Sequence, residues 1–318
     1  MRPRHVLLAT LIAAIWGFNF VPIRVGLDDF PPLLFAALRF TAAALPAVLV
    51  VRRPPVPARW LLLIGVPLGV GQFGLMFISM RLGMPAGLAS VVLQISAIFT
   101  ALFAGALLRE RLTPRQLAGM AVAFAGVALL GVAQSGGRAG PAVAFLLCVG
   151  AAASWGLANV GMRRMNQDAD GPVDAFGFMV WMSLVPPVPL FALSLLFEGP
   201  DEIAGAFRHA TFGGYASLAY IAYLSTLVGF GLWGWLMRRY EASTVAMYSL
   251  LVPPFGLASA AAFLGEGVGP VRLAGAALIV SGVAIGSLRR RAARPGSAPP
   301  PAPPSVPPPA QAAPAQTR

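Results

Sequence analysis

The sequence has few of the groups from which enzymes build active sites. Only 11% of its 318 residues are charged, and it has one cysteine and two histidines. A single cysteine, Cys148, excludes an intramolecular disulfide. His5 and His209 lie at helix or loop edges, so they form no catalytic dyad within a membrane span. The carboxylates lie in loops and at helix ends without metal-ligand spacing. The sequence therefore predicts neither an enzyme nor a metal or cofactor site.

Apolar residues are abundant instead. They make up 58% of the chain, and the mean hydropathy is +0.76, whereas soluble domains are about 45–50% apolar and about 25% charged. The net charge of +12 would suit nucleic acid if the basic residues formed a patch on a polar domain. They lie between apolar runs, so we predict an all-α polytopic membrane protein that does not bind nucleic acid.

Ten apolar runs are long enough to cross a bilayer, whose core of about 30 Å needs roughly 20 residues per helix. The first resembles a signal peptide, but no small-residue cleavage site follows it, so we expect a retained helix. The Pro/Ala-rich stretch 291–318 predicts a disordered cytoplasmic tail. The predicted spans are 6–25, 32–51, 60–80, 85–108, 114–133, 141–162, 173–197, 211–237, 242–264 and 270–288.

The arginines of the connections indicate the orientation. With the N-terminus inside, sixteen lie in cytoplasmic segments, and four lie outside, at Arg81, Arg138, Arg208 and Arg272. Positive charge accumulates on the cytoplasmic side of membrane proteins. We therefore predict a multi-pass protein of a bacterial inner membrane with both termini in the cytoplasm.

The chain repeats itself. "RERLTPRQLAGMAVAFAGVALL" in the first half is echoed by "GEGVGPVRLAGAALIVSGVAIG" in the second, with Glu110 matching Glu266 at a spacing of 156 residues, and "WGFN" at 16–19 is echoed by "WGLAN" at 155–159. A unit of five helices is odd, so the second copy must be inverted, as in many secondary transporters. The predicted repeats are 1–135, with helices 1–5, and 136–290, with helices 6–10.

Two stretches match the dinucleotide pattern GxGxxG, at 69–74 and 229–234. Both lie inside predicted helices and neither follows a strand, so the strand–turn–helix context of a pyrophosphate site is missing. We interpret these glycines as sites of close helix packing.

Arg39 is the one charged residue inside the second apolar run, 32–51. It lies roughly 10 Å from the outer end of its helix, where an arginine costs about 2.5–3.5 kcal/mol on insertion scales. This cost predicts that Arg39 faces the bundle interior or an aqueous cavity. In the alternative, its side chain extends to the outer interface and pairs with Asp28 or Asp29.

Three amide side chains are predicted at similar depth on neighbouring helices: Asn19, Gln72 and Gln94. In the second half, Arg39 aligns near Trp181, Gln72 near Gly229 and Gln94 with Leu250. A polar set that is present in one half only favours a role towards substrate over a structural role.

The stretches "PPLLFAALRF", "GQFGLMF" and "GFGLWGWLMRRYEASTVAMYSLLVPPFGLASAAAFLGE", together with the repeated segments, resemble the EamA-type members of the drug/metabolite transporter superfamily over residues 6–288. The resemblance implies an inner-membrane carrier of ten helices in two inverted repeats, which exports amino acids or related metabolites with energy from the proton gradient. One departure is "GEG" at 265–267, where the family commonly has a basic residue after the acid.

The favoured interpretation is an alternating-access exporter of small zwitterionic metabolites such as O-acetylserine and cysteine. Arg39 would receive the substrate carboxylate and the three amides would orient it. Apolar walls would come from Trp16, Trp155 and Tyr248. The alternatives are a carrier of other amino acids, drugs or purine-like metabolites and, from another class, a membrane-embedded enzyme or sensor.

Overall fold

Ten apolar helices make up most of the part of the protein that the structure describes. The computed structural model describes residues 1–169 and 171–287, apart from the side chains of residues 242 and 243. The predicted tail 291–318 lies outside this part, as do residues 288–290 of the predicted second repeat. The helices are α1 Pro3–Asp29, α2 Pro32–Val48, α3 Ala58–Arg81, α4 Ala86–Leu108, α5 Pro114–Ser135, α6 Ala139–Asp168, α7 Ala175–Phe197, α8 Phe212–Arg239, α9 Thr244–Leu264 and α10 Pro270–Gly286.

Eight of these helices are long and apolar enough to cross a membrane, while α2 and α10 are shorter apolar helices. A short helix, Pro200–His209, joins α7 to α8. Large apolar side chains cover the outer surface; Leu49, Leu196 and Phe212, for example, are 85%, 74% and 89% exposed. An apolar surface of this extent is unusual for a soluble monomer and is normal for helices that face lipid.

The two halves share departures from regular α-helix. A nine-residue π-helical segment occurs at Val66–Gly74 in α3 and at Tyr220–Val228 in α8. A 3₁₀ turn occurs at Leu93–Ile95 in α4 and at Met247–Leu251 in α9. In both pairs the starting residues are 154 positions apart, from 66 to 220 and from 93 to 247. Such interruptions within helices often mark functional positions.

The ends of α4 and α9 also match. Each ends at a C-cap residue in the left-handed conformation: Arg109, with φ of 56°, in α4 and Gly265, with φ of 66°, in α9. These two residues are 156 positions apart. Their amides donate to the carbonyls of Ala104 and Ala260, again 156 positions apart. Glycine is the usual residue at such a helix end, whereas a side chain in this conformation costs about 1–2 kcal/mol.

Helices α5 and α10 cross closely at glycines. A Cβ on Gly119 would lie 2.5 Å from the carbonyl oxygen of Gly282, and one on Gly126 would lie 2.9 Å from that of Gly275. In the sequence repeat Gly119 corresponds to Gly275 and Gly126 corresponds to Gly282. Replacing each glycine of one contact by its counterpart therefore gives the other contact. Self-complementary contacts of this kind are typical of two-fold relationships, and their order shows that the two helices are antiparallel.

The echoed tryptophan–glycine motifs occupy equivalent contacts too. A Cβ on Gly17 of α1 would lie 2.5 Å from the Cβ of Phe255 in α9, and one on Gly156 of α6 would lie 2.6 Å from the Cβ of Phe99 in α4. Phe99 and Phe255 are again 156 positions apart. The same kind of close packing occurs in the two GxGxxG stretches, where Gly229, for example, lies against the indole of Trp16.

Carboxylates of the second half cap two helices of the first. Glu198, just after α7, accepts hydrogen bonds from the amides of residues 33–34 in the first turn of α2, at 2.6 and 3.0 Å. Glu266, just after α9, accepts from the amides of residues 86–87 in the first turn of α4, at 2.6 and 3.0 Å. A carboxylate at a helix N-terminus satisfies free amides and complements the helix dipole. These caps join the halves on the predicted outer side.

A third carboxylate on that side, Asp29 at the end of α1, accepts from the amide and hydroxyl of Thr211 at 3.1 and 2.6 Å, before α8. On the predicted inner side Glu110 pairs with Arg163 at 2.9 Å. The ion pair between Glu110 and Arg163 is exposed, so it contributes little to the stability of the fold. Glu110 and Glu266, which match in the repeat, therefore make different contacts, in keeping with the departure at 265–267.

Candidate functional site

The interior polar site is centred on Arg39. Helix α2 carries Arg39 two turns below its first residue, and the side chain is buried, with 3% exposure. Its Nη2 donates to Thr226 Oγ1 at 2.8 Å, across the two halves. The Thr226 hydroxyl in turn donates to the carbonyl of Ile221 at 2.7 Å, within the π-helical segment of α8. The guanidinium therefore faces the bundle interior, as the insertion cost predicts.

Aromatic rings cover the guanidinium. Its Cζ lies 3.8 Å from the ring centroid of Phe73 and 4.8 Å from that of Phe40. The two rings contact each other edge to face at 5.4 Å. Cation–π contacts are worth about 2 kcal/mol or more when they are desolvated, so these rings offset part of the cost of burying the charge.

Arg39 still has free hydrogen-bond donors. Its Nε and Nη1 are buried without a partner in the described part of the chain, and no described carboxylate forms an ion pair with it. The alternative pairing with Asp28 or Asp29 is therefore wrong. Asp28 pairs with Arg24 at 2.6 Å, and Asp29 accepts hydrogen bonds from Thr211, the residue before α8. A buried charge without a counterion is costly, and free donors that point into a protein interior suit an anionic ligand.

Helix α1 reaches the same π-helical segment. The indole of Trp16 donates to the carbonyl of Ser225 at 3.0 Å, next to the threonine that binds Arg39. Its ring packs against Phe230 and Trp233, with centroids 5.1 and 5.0 Å apart. The structure thus brings Trp16 and Arg39 to neighbouring residues of Tyr220–Val228.

Asn19 lies one turn beyond Trp16. Pro22 has no amide to donate to the carbonyl four residues before it, and α1 is divided at Asn19 into Pro3–Phe18 and Phe20–Asp29. The side-chain Oδ1 of Asn19 is buried without a partner among the described residues. On the same face, Tyr220 donates its hydroxyl to the carbonyl of Ile15 at 2.9 Å.

The two predicted glutamines also lie in irregular segments, Gln72 in the π-helical segment of α3 and Gln94 in the 3₁₀ turn of α4. Gln72 is buried in the π-helical segment of α3 and directly precedes Phe73. Gln94 donates from Nε2 to the carbonyl of Ser249 at 3.3 Å, so it joins the 3₁₀ turns of α4 and α9. Tyr248, beside that serine, packs against the same apolar cluster as Trp16.

Trp155 stands apart from these contacts. It is partly buried on α6 and packs against the main hydrophobic core. Its neighbour Asn159, which echoes Asn19, donates from Nδ2 to Thr100 Oγ1 at 3.1 Å. Of the seven predicted residues, Arg39, Trp16, Gln94 and Tyr248 are linked through shared or adjacent contacts. Gln72 directly precedes Phe73, Asn19 lies one turn from Trp16, and Trp155 packs elsewhere.

The sequence patterns do not identify Thr226 and Phe73 as site residues. An alignment of Gln72 with Gly229 predicts that the polar set occurs in one half only. The π-helical segments align instead at a spacing of 154, which places Thr226 opposite Gln72. A search of the sequence for polar residues near that spacing would have found Thr226. The stacked Phe73 carries no comparable signal, because phenylalanine is common in such spans.

A separate apolar groove of about 570 Å³ lies between α3, α4 and α6. None of the predicted site residues lines it, and its walls include Leu62, Leu63 and Leu107, which are 54%, 57% and 61% exposed. Because these side chains face outward from the bundle, the groove is part of the apolar outer surface and not of the interior polar site.

Comparisons with known proteins agree on the family. Residues 4–132 and 142–288 each match the EamA-like transporter family. A Salmonella typhimurium protein named "Probable amino-acid metabolite efflux pump" is 43% identical over 290 residues, which cover 90% of this chain and 97% of that protein. An Escherichia coli K12 protein of the same name is 40% identical over 300 residues, covering 93% and 100%.

More distant matches extend the comparison. A Streptantibioticus cattleyicolor protein named "Probable terminal-alkyne amino-acid exporter" is 30% identical over 298 residues, covering 90% of this chain and 96% of that protein. A solved structure described only as "Crystal structure of protein" superposes with a TM-score of 0.57 at 21% identity, covering 90% and 98% of the two chains. At that identity the likeness shows the fold alone.

Proposed function

Because the chain belongs to the EamA-like transporter family, we propose that it exports small amino-acid-type metabolites across the membrane that holds it. The names of the Salmonella and Escherichia coli relatives, at 43% and 40% identity over nearly their whole lengths, support this cargo class. We infer a binding role for the interior polar site, which membership of a transporter family supports.

One observation carries the proposal: Arg39 is buried with free donors and without a carboxylate partner in the described part of the chain. An amino acid supplies a carboxylate whose two oxygens match a planar guanidinium fork. Thr226 and Phe73 hold the guanidinium from one edge and one face, which leaves its remaining donors for the ligand. We propose that Gln72, which is buried in the same π-helical segment as Phe73, orients the bound molecule.

We propose that transport proceeds by alternating access between two inverted five-helix repeats of ten spans. The support is the exchange of glycine contacts between α5 and α10 and the paired π-helical and 3₁₀ segments of the two halves. In secondary transporters built this way, the substrate lies at the repeat interface, where irregular helices meet. Arg39 from the first half and Thr226 from the second meet at such a place.

The proposed orientation has both termini in the cytoplasm of a bacterial cell, from the distribution of arginines in the connections. Proton coupling is proposed from the family resemblance. The described carboxylates lie at helix ends, and Asp29, Glu198 and Glu266 each accept two hydrogen bonds from the other half. O-acetylserine and cysteine are the first cargo to test.

The test is export of labelled amino acids from cells that overproduce the protein, expressed per unit of membrane-inserted protein. Arg39→Gln should nearly abolish export, and Arg39→Lys should impair it substantially, because lysine keeps the charge but loses the planar fork. Arg24→Gln, which removes an exposed arginine paired with Asp28, is the matched control and should leave export unchanged. Wild-type export by Arg39→Gln would refute the role of Arg39.

A further inference from the structure

The buried polar side-chain atoms without a partner in the described part of the chain belong to two residues. They are Nε and Nη1 of Arg39, which are donors, and Oδ1 of Asn19, which is an acceptor. Most buried polar side-chain atoms in proteins have at least one partner. Unfilled donors on one side chain and an unfilled acceptor on another are therefore the features of this interior that most need a ligand.

Arg39 and the turn of α1 that precedes Asn19 contact one segment of α8, Tyr220–Val228. Arg39 binds Thr226 from α2, and Trp16, one turn before Asn19 on α1, binds the adjacent Ser225. Helix α1 is fixed against the same segment a second time by the hydrogen bond from Tyr220 to the carbonyl of Ile15. Arg39 and the turn of α1 that precedes Asn19 thus contact a common segment of α8 from two different helices.

We propose that Asn19 Oδ1 accepts a hydrogen bond from the α-ammonium group of the substrate whose carboxylate Arg39 binds. The inference rests on the proposed function and narrows its substrate class to zwitterions. A carboxylate only accepts hydrogen bonds and an ammonium group only donates them, so the two ends of an amino acid complement the unfilled groups of the site. A ligand without the ammonium group would leave the asparagine oxygen unpaired, and such unpaired groups are a strong source of selectivity.

Asn159 is an asparagine of this fold whose side chain has a partner in a neighbouring helix. It belongs to the echo of the same sequence motif, and its Nδ2 donates to Thr100 Oγ1 at 3.1 Å. Asn19 has no such contact for its oxygen among the described residues. The two asparagines therefore form a matched pair for mutagenesis, one facing the proposed ligand and one engaged in helix packing.

The experiment measures binding to the purified full-length protein in lipid nanodiscs by calorimetry under reducing conditions. The probes are L-cysteine, 3-mercaptopropionate, which lacks the ammonium group, and cysteamine, which lacks the carboxylate. The wild type should bind L-cysteine at least about tenfold more tightly than either analogue, because a hydrogen bond to a charged group is lost in each case.

Asn19→Ala should weaken L-cysteine binding at least about tenfold and leave 3-mercaptopropionate binding unchanged. Asn19→Asp, which keeps an acceptor oxygen, should retain the preference for L-cysteine. Asn159→Ala should leave the preference intact. If Asn19→Ala weakened both carboxylate probes equally, or left L-cysteine binding unchanged, the assignment of the ammonium group to Asn19 would be overturned.

Failure of the proposed function gives a different result. If the wild type bound none of the probes, or Arg39→Gln bound L-cysteine and 3-mercaptopropionate as the wild type does, the carboxylate site itself would be wrong and the inference would fall with it. If Arg39→Gln lost both carboxylate probes while Asn19→Ala lost neither, the exporter proposal would stand and only the role of Asn19 would be rejected.

Discussion

Thr226→Val tests how far the position of Arg39 depends on the second half of the chain. Valine has nearly the shape of threonine but has no hydroxyl, so the change removes two contacts with little change in volume. One is the acceptor for Arg39 Nη2 at 2.8 Å, and the other is the donor to the Ile221 carbonyl at 2.7 Å. The guanidinium would then be buried without the neutral partner that it now has.

The expected loss of stability follows from these contacts. A hydrogen bond to a charged group contributes about 1.5–3 kcal/mol and a neutral one about 1 kcal/mol, so Thr226→Val should destabilise the protein by about 2.5–4 kcal/mol. Thr100→Val is a matched control. Thr100 also accepts one side-chain hydrogen bond, from Asn159, and donates one to a backbone carbonyl, that of Ser96. Both are neutral, so the control should cost about 2 kcal/mol.

The assay is thermal unfolding of the purified protein in detergent, with export measured on the same variants. Thr226→Val should unfold at a lower temperature than Thr100→Val, and Thr226→Ser, which keeps the hydroxyl, should recover most of the loss. Thr226→Val should also reduce export more than its effect on the amount of inserted protein explains. Equal destabilisation by the two valine variants would refute the reasoning, because Arg39 would then not depend on this contact.

Three further changes test the fold. Glu266→Gln weakens the cap of α4 and should cost about 1–2 kcal/mol in thermal unfolding, whereas Glu202→Gln, at an exposed carboxylate in the first turn of the helix Pro200–His209, should cost only about 0.5 kcal/mol; equal melting of the two would argue against the cap. Arg109→Gly should raise the melting temperature, because it relieves a left-handed side chain worth about 1–2 kcal/mol, and a lower value would contradict that strain. Gly119→Val should prevent accumulation of inserted protein, since its Cβ would lie 2.5 Å from the facing carbonyl of α10; normal insertion would show that this crossing is not needed.

Much of the fold could be predicted from the sequence, because the length of the apolar runs and the repetition of glycine motifs are visible in the order of residues alone. Each of the ten predicted apolar runs corresponds to one of the ten apolar helices in the described residues, although α2 and α10 are shorter than the other eight. Arg39 could also be predicted to face inward, since the cost of an arginine in hydrocarbon leaves few other places for it. The partners of Arg39 could not be predicted, because they depend on which helices meet.

The number of residues between equivalent positions of the two halves is not constant, and this limited the prediction of the site. A spacing of 156 is correct at the ends of α4 and α9, but the π-helical segments of α3 and α8 start 154 positions apart. This difference of two residues hid the match between Gln72 and Thr226. The aromatic walls were harder still to predict. Trp16 binds Ser225 beside the site and Trp155 packs against the main hydrophobic core, although the glycines that follow the two tryptophans make equivalent contacts.

The most direct test of the central claim is a binding cycle between Arg39 and the substrate carboxylate. The affinities of the wild type and of Arg39→Gln are measured for L-cysteine and for its primary amide, which keeps the ammonium group but carries no negative charge. The wild type should prefer the free acid at least about tenfold, and Arg39→Gln should bind both forms with similar affinity. An unchanged preference for the free acid in Arg39→Gln would contradict the claim that Arg39 binds the carboxylate.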